Sequence, residues 1–387
     1  MKRITAVIGM AVIGAAAFMG LSKLSDEVDK PAGFDPASVP NVVEHIAGVS
    51  KDTVMATIGE QPIYAEDFLY WNGYTAEMAA YSVASQGQEM DWEADYEGKP
   101  LREVVKEQAL QSAKLYAVIE AKAKEEDCGL TAEQQAEFDA SYAALVEQMG
   151  GETEMKKQLL MMGTTESGFL RINRVPYLYN NLQLKLVDNS PVSAGELAKY
   201  VEENDMLRAK HILLMTKDPN TGADLSEDEK ILKKEKAQQL LKELEESDDP
   251  LLLFDELMYA NSEDTGLMMY PYGYDFTAGE MVAEFENTTR ELEYNEISSL
   301  VESQFGYHII LRLDPADDEL AETLTAERIQ TEMDALLVEW MEPEAVTTEA
   351  YEALDVKICY ENLLSLREEI EAADAAAEAV PAPSAAQ

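Results

Sequence analysis

The chain has 387 residues, 46% of them hydrophobic, enough for two domains with tails. Its 76 acids against 30 bases leave a net charge of −46, a field that repels phosphate backbones and anionic lipid, so nucleic-acid partners are excluded and docking on a charged bilayer is disfavoured. That surplus either keeps the surface solvated or draws basic, unfolded segments of other chains. The two cysteines, Cys128 and Cys359, form no CxxC and no metal-ligand spacing. One long-range disulfide is conceivable, but two buried free thiols are expected.

Lys2 and Arg3 precede an apolar run from Ile4 to Leu21, and Lys23 follows. This pattern predicts an export signal or a short signal-anchor over residues 1–24. The run meets the lower limit for spanning a bilayer, about 17–25 residues. Ala15-Ala16-Ala17 offers a cleavage site, and no cysteine follows that could carry a lipid. The body is therefore expected outside the cytoplasm, secreted or tethered, with membrane contact through this segment alone. Residues 25–50, punctuated by Pro31, Gly33, Pro36 and Pro40, read as a linker.

Thr53 to Ile63 reads as a hairpin whose period-two pattern breaks at Gly59-Glu60. Tyr64 to Phe68 opens a helix with acids in its first turn, where the helix dipole favours them. Leu101 to Lys124 places Leu101, Val104, Val105, Ala109, Tyr116, Ile119 and Ala123 on one helical stripe. Thr131 and Gln134 form a capping-box pattern for the next helix. Helices are predicted over 152–162 and 165–187, with Pro176 expected to kink or split the second. Residues 51–200 are thus expected to be one mainly helical domain.

The character changes at residue 201. Strands are predicted at 207–215, 297–301 and 306–313. Helices are predicted at 226–246, 251–260 and from Gly279, the last with Met281 and Phe285 on one face. An aromatic loop, 261–276, lies between them. Strands enclosing helices predict a small α+β domain over 201–316, with the two longest strands pairing late and placed at its edges. Residues 317–367 read as a further helical segment, with a strand at Val356–Tyr360, and 368–387 as a disordered acidic Ala/Pro tail.

Two of the chain's three histidines, His211 and His308, sit inside predicted strands; the third, His45, lies in the linker. An imidazole is awkward to bury without a hydrogen-bond partner, so the two strands are expected to floor one site. No Gly-x-Ser-x-Gly elbow is present for a Ser-His-Asp hydrolase. Two histidines and an aspartate could form a metal triad, but no surrounding pattern supports one, and neither a metal nor a cofactor is predicted.

Four motifs occur in order: Arg208-Ala-Lys-His-Ile-Leu-Leu214, Tyr259-Ala-Asn-Ser-Glu-Asp-Thr-Gly266, Gly279-Glu-Met-Val-Ala-Glu-Phe-Glu286, and the segment from Asn295 to Leu313 that ends in Phe-Gly-Tyr-His-Ile-Ile-Leu-Arg-Leu. Together they resemble the parvulin-type peptidyl-prolyl cis/trans isomerases. The resemblance implies a small antiparallel sheet with surrounding helices. It also implies active-site positions at His211, Asp264 and His308, and a proline pocket lined by Phe276, Met281 and Phe285, with Ser303 joining the network. The outer arrangement is similar to bacterial extracytoplasmic foldases of the PrsA and SurA kind, in which the helical region and the C-terminal segment pack into a chaperone module. The family's Gly-rich turn before the pocket helix is replaced here by residues 267–276, rich in Met and Tyr. No basic cluster follows His211, so no preference for phosphorylated Ser/Thr-Pro is expected.

The resemblance implies a prolyl isomerase and folding chaperone for unfolded or partly folded exported proteins that contain X-Pro bonds. The alternative is an ATP-independent holdase whose parvulin domain is inert. A homodimer is left open.

Overall fold

The computed structural model describes residues 33–96, 98–219 and 221–379. The chain forms two compact units: residues up to 188 with 329 onward, and residues 189–328. The predicted export segment lies outside the described residues, and no described helix is long and apolar enough to cross a membrane.

The first unit begins where a linker was expected. After a 3-10 turn at Pro36–Ser38, α1 (Val42–Ala47) is capped by the Asn41 side chain and ended by Gly48 at φ 69°. Phe34, Val39, Val42, Val43 and Ile46 are all buried in the main core. Proline and glycine punctuate this stretch, but its apolar residues keep helical spacing and override the composition. β1 (Val54–Ile58) and β2 (Gln61–Tyr64) form the predicted hairpin. α2 (Ala65–Ala84) follows, then a small ribbon of β3 (Asp95–Tyr96) and β4 (Lys99–Pro100), then α3 (Leu101–Glu125). α4 (Ala132–Gln148) starts with the Thr131–Gln134 capping box, and α5 (Glu152–Met161) leads to α6 (Glu166–Leu186). Pro176 does not split α6. Its ring removes one backbone bond, while Ile172, Val175 and Leu182 stay buried and hold both halves in place.

The second unit holds α7 (Ala194–Glu203), β5 (Leu207–Met215), α8 (Glu227–Glu245), α9 (Pro250–Asn261), β6 (Tyr274–Phe276), α10 (Ala283–Glu291), β7 (Val301–Ser303) and β8 (Gly306–Leu313). The antiparallel sheet has the order β6-β5-β8-β7. The two histidine strands are therefore its central pair rather than its edges. The strand expected at 297–301 reduces to a bridge between Ile297 and Leu311, with β7 starting at Val301. The helix expected from Gly279 starts at Ala283, so Met281 precedes it. One sheet face carries Ile212, Leu214, Ile309 and Leu311 against Leu240 and Phe254 of α8 and α9. The other carries Leu207, Ala209 and Ile310 against Phe276 and Phe285.

The chain then returns to the first unit along α11 (Asp318–Trp340), whose Met333, Leu337 and Trp340 join Leu115, Val118 and Leu182 in a second core cluster. β9 (Val346–Thr347) pairs with β1, α12 (Glu349–Ala353) follows, and α13 (Val356–Ala379) closes the unit. The strand expected at Val356–Tyr360 is the first turn and a half of this helix. The tail expected to be disordered from 368 is helical to Ala379, and 380–387 lie outside the described residues. Val356, Cys359, Tyr360, Leu363, Leu366 and Ile370 are buried at spacings of one to four residues. That periodicity prevails over the β-branched residues at its start and the acidic composition of its end. Cys128 and Cys359 are buried free thiols.

Under α2, Arg171 pairs with Glu66 and lies 3.0 Å from Asp67. Lys51, Glu120, Lys124, Asp127 and Arg174 border the same recess. Burial raises Asp67 from 3.8 to about 6 and Glu120 from 4.5 to about 7, against the attraction of Arg171. A folded-state value above the unfolded one means the folded chain holds the extra protons. Stability from these groups is full at low pH and is lost as pH rises through 6 to 7. The first unit should therefore be more stable at pH 5.5 than at pH 8, by about 2–3 kcal/mol, and melt correspondingly higher. Glu120→Gln should melt higher than the unmodified chain at pH 8 and show a shallower pH slope; calorimetry across that range checks both.

Candidate active site

Register brings the two strand histidines together. In the β5–β8 ladder His211 pairs with Ile310 and Leu213 with His308. The histidines are thus diagonal neighbours, two residues apart in register, and point to the same face. Their Nδ1 atoms are 3.0 Å apart and their ring planes differ by 12°. Gly306 secures this register at φ 145°, because a Cβ there would lie 2.1 Å from the Leu214 carbonyl oxygen.

Asp264 reaches His211 from the end of α9. Two bonds fasten that end to β5: the Leu213 N–H donates to Ser262 Oγ (3.1 Å) and the Glu263 N–H donates to the Leu213 carbonyl (2.8 Å). Asp264 Oδ2 then lies 3.1 Å from His211 Nε2, and its Oδ1 accepts the Gly266 N–H at 3.0 Å. On the opposite side Ser303 Oγ is 2.6 Å from His308 Nε2 and accepts the Phe305 N–H at 3.1 Å.

These contacts define proton positions for two neutral imidazoles. A carboxylate only accepts, so His211 Nε2 carries a hydrogen and its Nδ1 is a bare acceptor. His308 must then donate from Nδ1, and its Nε2 accepts the Ser303 hydroxyl. Every bond in the row Ser303–His308–His211–Asp264 points toward the carboxylate. Burial, and then the neighbouring His211, hold His308 down to about 3. Burial opposes ionisation of Asp264, but bonds from His211, Tyr274 and the Gly266 N–H outweigh it and hold the carboxyl at about 2.

Phe285 lies over this pair, its ring centre 5.2 Å from that of His211 and 5.8 Å from that of His308. Phe276 stands behind it at 5.7 Å. Both phenylalanines are buried, whereas Met281 is half-buried at the edge of the same cluster. All seven residues singled out in the sequence thus lie in one connected neighbourhood. Among the described residues no group of three or more His, Cys, Asp or Glu is arranged to hold a metal.

One member had escaped notice. Tyr274 donates its hydroxyl to Asp264 Oδ2 at 2.6 Å and sets its ring edge-on to His211, with centroids 5.8 Å apart. Tyr270 packs on Tyr274 at 4.8 Å. Burial, followed by the bond to anionic Asp264, pushes the Tyr274 phenol upward. A period-two reading of Tyr274-Asp275-Phe276 would have placed both aromatics on the histidine face, since Tyr274 pairs with Ala209 and Phe276 with Leu207. Gly266 makes room for this phenol: a Cβ there would lie 2.1 Å from its oxygen.

Residues 196–316 match the family model of the PPIC-type PPIASE domain. This segment is a parvulin-type domain. A foldase protein PrsA of Staphylococcus aureus strain MRSA252 is 29% identical over 200 residues, which cover 50% of this chain and 58% of the relative. The PrsA of strain Newman is 28% identical over the same shares. The chain therefore spans little more than half the length of the curated relatives it matches. Among solved structures, peptidylprolyl isomerase (PrsA) from Bacillus cereus aligns over 81% of this chain and 99% of its own, at 19% identity and a TM-score of 0.26. PrsA from Bacillus subtilis aligns over 71% and 91%, at 19% and 0.25.

Two measurements test the electrostatics of the parvulin unit. His308 titrates far below its ordinary 6.5, so its ring resonances should not move between pH 8 and pH 5. The stability this represents is full above about 6.5 and is lost as pH falls toward 3. Tyr274→Phe and Gly266→Ala each withdraw a bond from Asp264. Carboxyl carbon NMR should show the Asp264 pKa rising in both from about 2 toward the ordinary 3.8.

Proposed function

We propose that the parvulin unit is a peptidyl-prolyl cis/trans isomerase and that the whole chain is a folding chaperone for unfolded exported proteins. The observation that carries this reading is the Asp264–His211–His308–Ser303 row lying directly against the Phe285 ring. The family match over 196–316 supports it, and the resemblance of residues 1–24 to an export segment supports a site of action outside the cytoplasm.

The chemistry asked of such a site is modest. Peptide-bond rotation has a barrier of ~18–20 kcal/mol, and uncatalysed X-Pro isomerisation takes about 10–100 s. No covalent bond has to form or break. A ~10,000-fold acceleration needs only about 5 kcal/mol of preferential binding to the twisted amide. Met281, with Phe285 and Phe276 behind it, grips the pyrrolidine ring, while His211, His308 and Ser303 form a rigid polar floor. Twisting the amide ends resonance and withdraws negative charge from the carbonyl oxygen. A fixed anion at Asp264 beside that oxygen disfavours the planar form more than the twisted one. Tyr274 and His211 keep that anion charged and in place.

A second reading is a holdase with a silent parvulin unit. Tyr274 favours it, because its ring stands against His211 where the family has a glycine-rich turn, and Phe285 is only 3% exposed.

Isomerisation of a short X-Pro peptide by the full chain, followed by exchange NMR, separates the two readings. The isomerase reading expects Met281→Ala to lower kcat/KM about tenfold and Phe285→Ala about 100-fold, or about 1.4 and 2.7 kcal/mol. Met281→Ala should leave the melting temperature nearly unchanged. Phe285→Ala should also lose about 3–5 kcal/mol of stability, so it is assayed well below its own melting point. A folded chain with no rate above background leaves the holdase alone.

A further inference from the structure

The first unit has an apolar opening that the parvulin chemistry does not use. The first half of α2 is buried, but from Met78 onward the helix emerges from the core, as does the first turn of α3. The loop between them is tied back to α3, with the Leu101 N–H on the Ala94 carbonyl (3.0 Å) and the Arg102 N–H on the Trp92 carbonyl (3.1 Å). Trp92 is in turn buried against Tyr360. Between α2, α3 and this loop lies a groove of about 520 Å³, with Trp71, Met78, Tyr96 and Val104 among its walls. That is within the ~300–1,000 Å³ of pockets that enclose a mid-sized ligand. Met78 and Tyr96 are 40% and 58% exposed.

Its charge says what it takes. Among the described residues, the charged side chains that line it are all acids, Glu89, Asp91 and Asp95. The bases nearest in sequence are already engaged, Lys99 with Glu107 and Arg102 with Glu93.

We propose that this groove binds an apolar or aromatic segment of an unfolded polypeptide flanked by lysine or arginine. The inference rests on the chaperone half of the proposed function and not on the isomerase half. An apolar wall supplies affinity and an acidic rim supplies selection and speed of capture. A second copy of this chain is a poor occupant, because each copy carries a net charge of −46 and would set acids against acids.

The test uses the full chain and short fluorescent peptides with one aromatic–aliphatic core and either lysine or glutamate flanks, followed by anisotropy. The lysine-flanked peptide should bind about tenfold tighter, with the ratio shrinking at high salt. Glu89→Lys should reduce that ratio. Met78→Glu should weaken both peptides about tenfold, with circular dichroism and X-Pro isomerisation unchanged. Equal binding of the two peptides, or a Met78→Glu chain that binds as before, overturns the proposal. So does a concentration-dependent dimer that Met78→Glu dissolves, since a second copy would then be the occupant. Suppression of client aggregation is measured alongside. If it persists in Met78→Glu while peptide affinity is also unchanged, the groove assignment fails and the chaperone reading stands. If the unmodified chain never suppresses aggregation yet binds peptide through Met78, the groove assignment stands and the chaperone reading fails.

Discussion

The pairing of Leu207–Met215 with Gly306–Leu313 is the constraint on which the parvulin unit depends. Side chains alternate across a strand, so a slip of one residue would turn His308 toward α8 and α9 and bring Tyr307 to the site face. Gly306 resists such a slip, because only a residue without a Cβ can lie so close to the Leu214 carbonyl. The hydrophobic pattern reinforces it: Ile212, Leu214, Ile309 and Leu311 all need the helix-covered face. The geometry of the candidate site and the packing of the core are thus set by one alignment, and neither can shift without the other.

The buried ionisable groups of the two units lean in opposite directions. In the first unit Asp67 and Glu120 are crowded by burial toward their protonated forms, with Arg171 only partly compensating. In the second, burial keeps His308 unprotonated, and three donors keep Asp264 charged. The common cause is desolvation, which penalises whichever form carries charge. Asp264 escapes that rule because its oxygens are met by His211, Tyr274 and the Gly266 amide.

How much of this was legible in the sequence varies with the kind of signal. Strand histidines in a chain with few of them, and a set of ordered motifs, led to every residue of the histidine row, since each is carried by a local pattern. Tyr274 was missed because it occupies the stretch where the chain departs from the family, and a loop-like composition hid a three-residue strand. The opening segment from Phe34 to Ile46 and the closing helix from Val356 to Ala379 were misread for the same reason. Proline and glycine in one, and acids and alanines in the other, outweighed an apolar spacing that burial in the folded chain makes decisive. The continuity of α6 through Pro176 was not legible locally either. It depends on Ile172, Val175 and Leu182 finding partners elsewhere in the fold.

The first unit is discontinuous: its hairpin strand β1 is completed by β9, and its core by α13, both of which follow the parvulin unit in the chain. The ends of that insert are held near each other by the Val192 N–H on Thr325 Oγ at 3.0 Å. During synthesis the inserted unit is therefore complete while its host still lacks Tyr351, Leu363 and Ile370. Until α13 emerges from the ribosome, the half-built host exposes the apolar surface that this helix will cover, so the newborn chain passes through the state of the unfolded proteins it is proposed to assist.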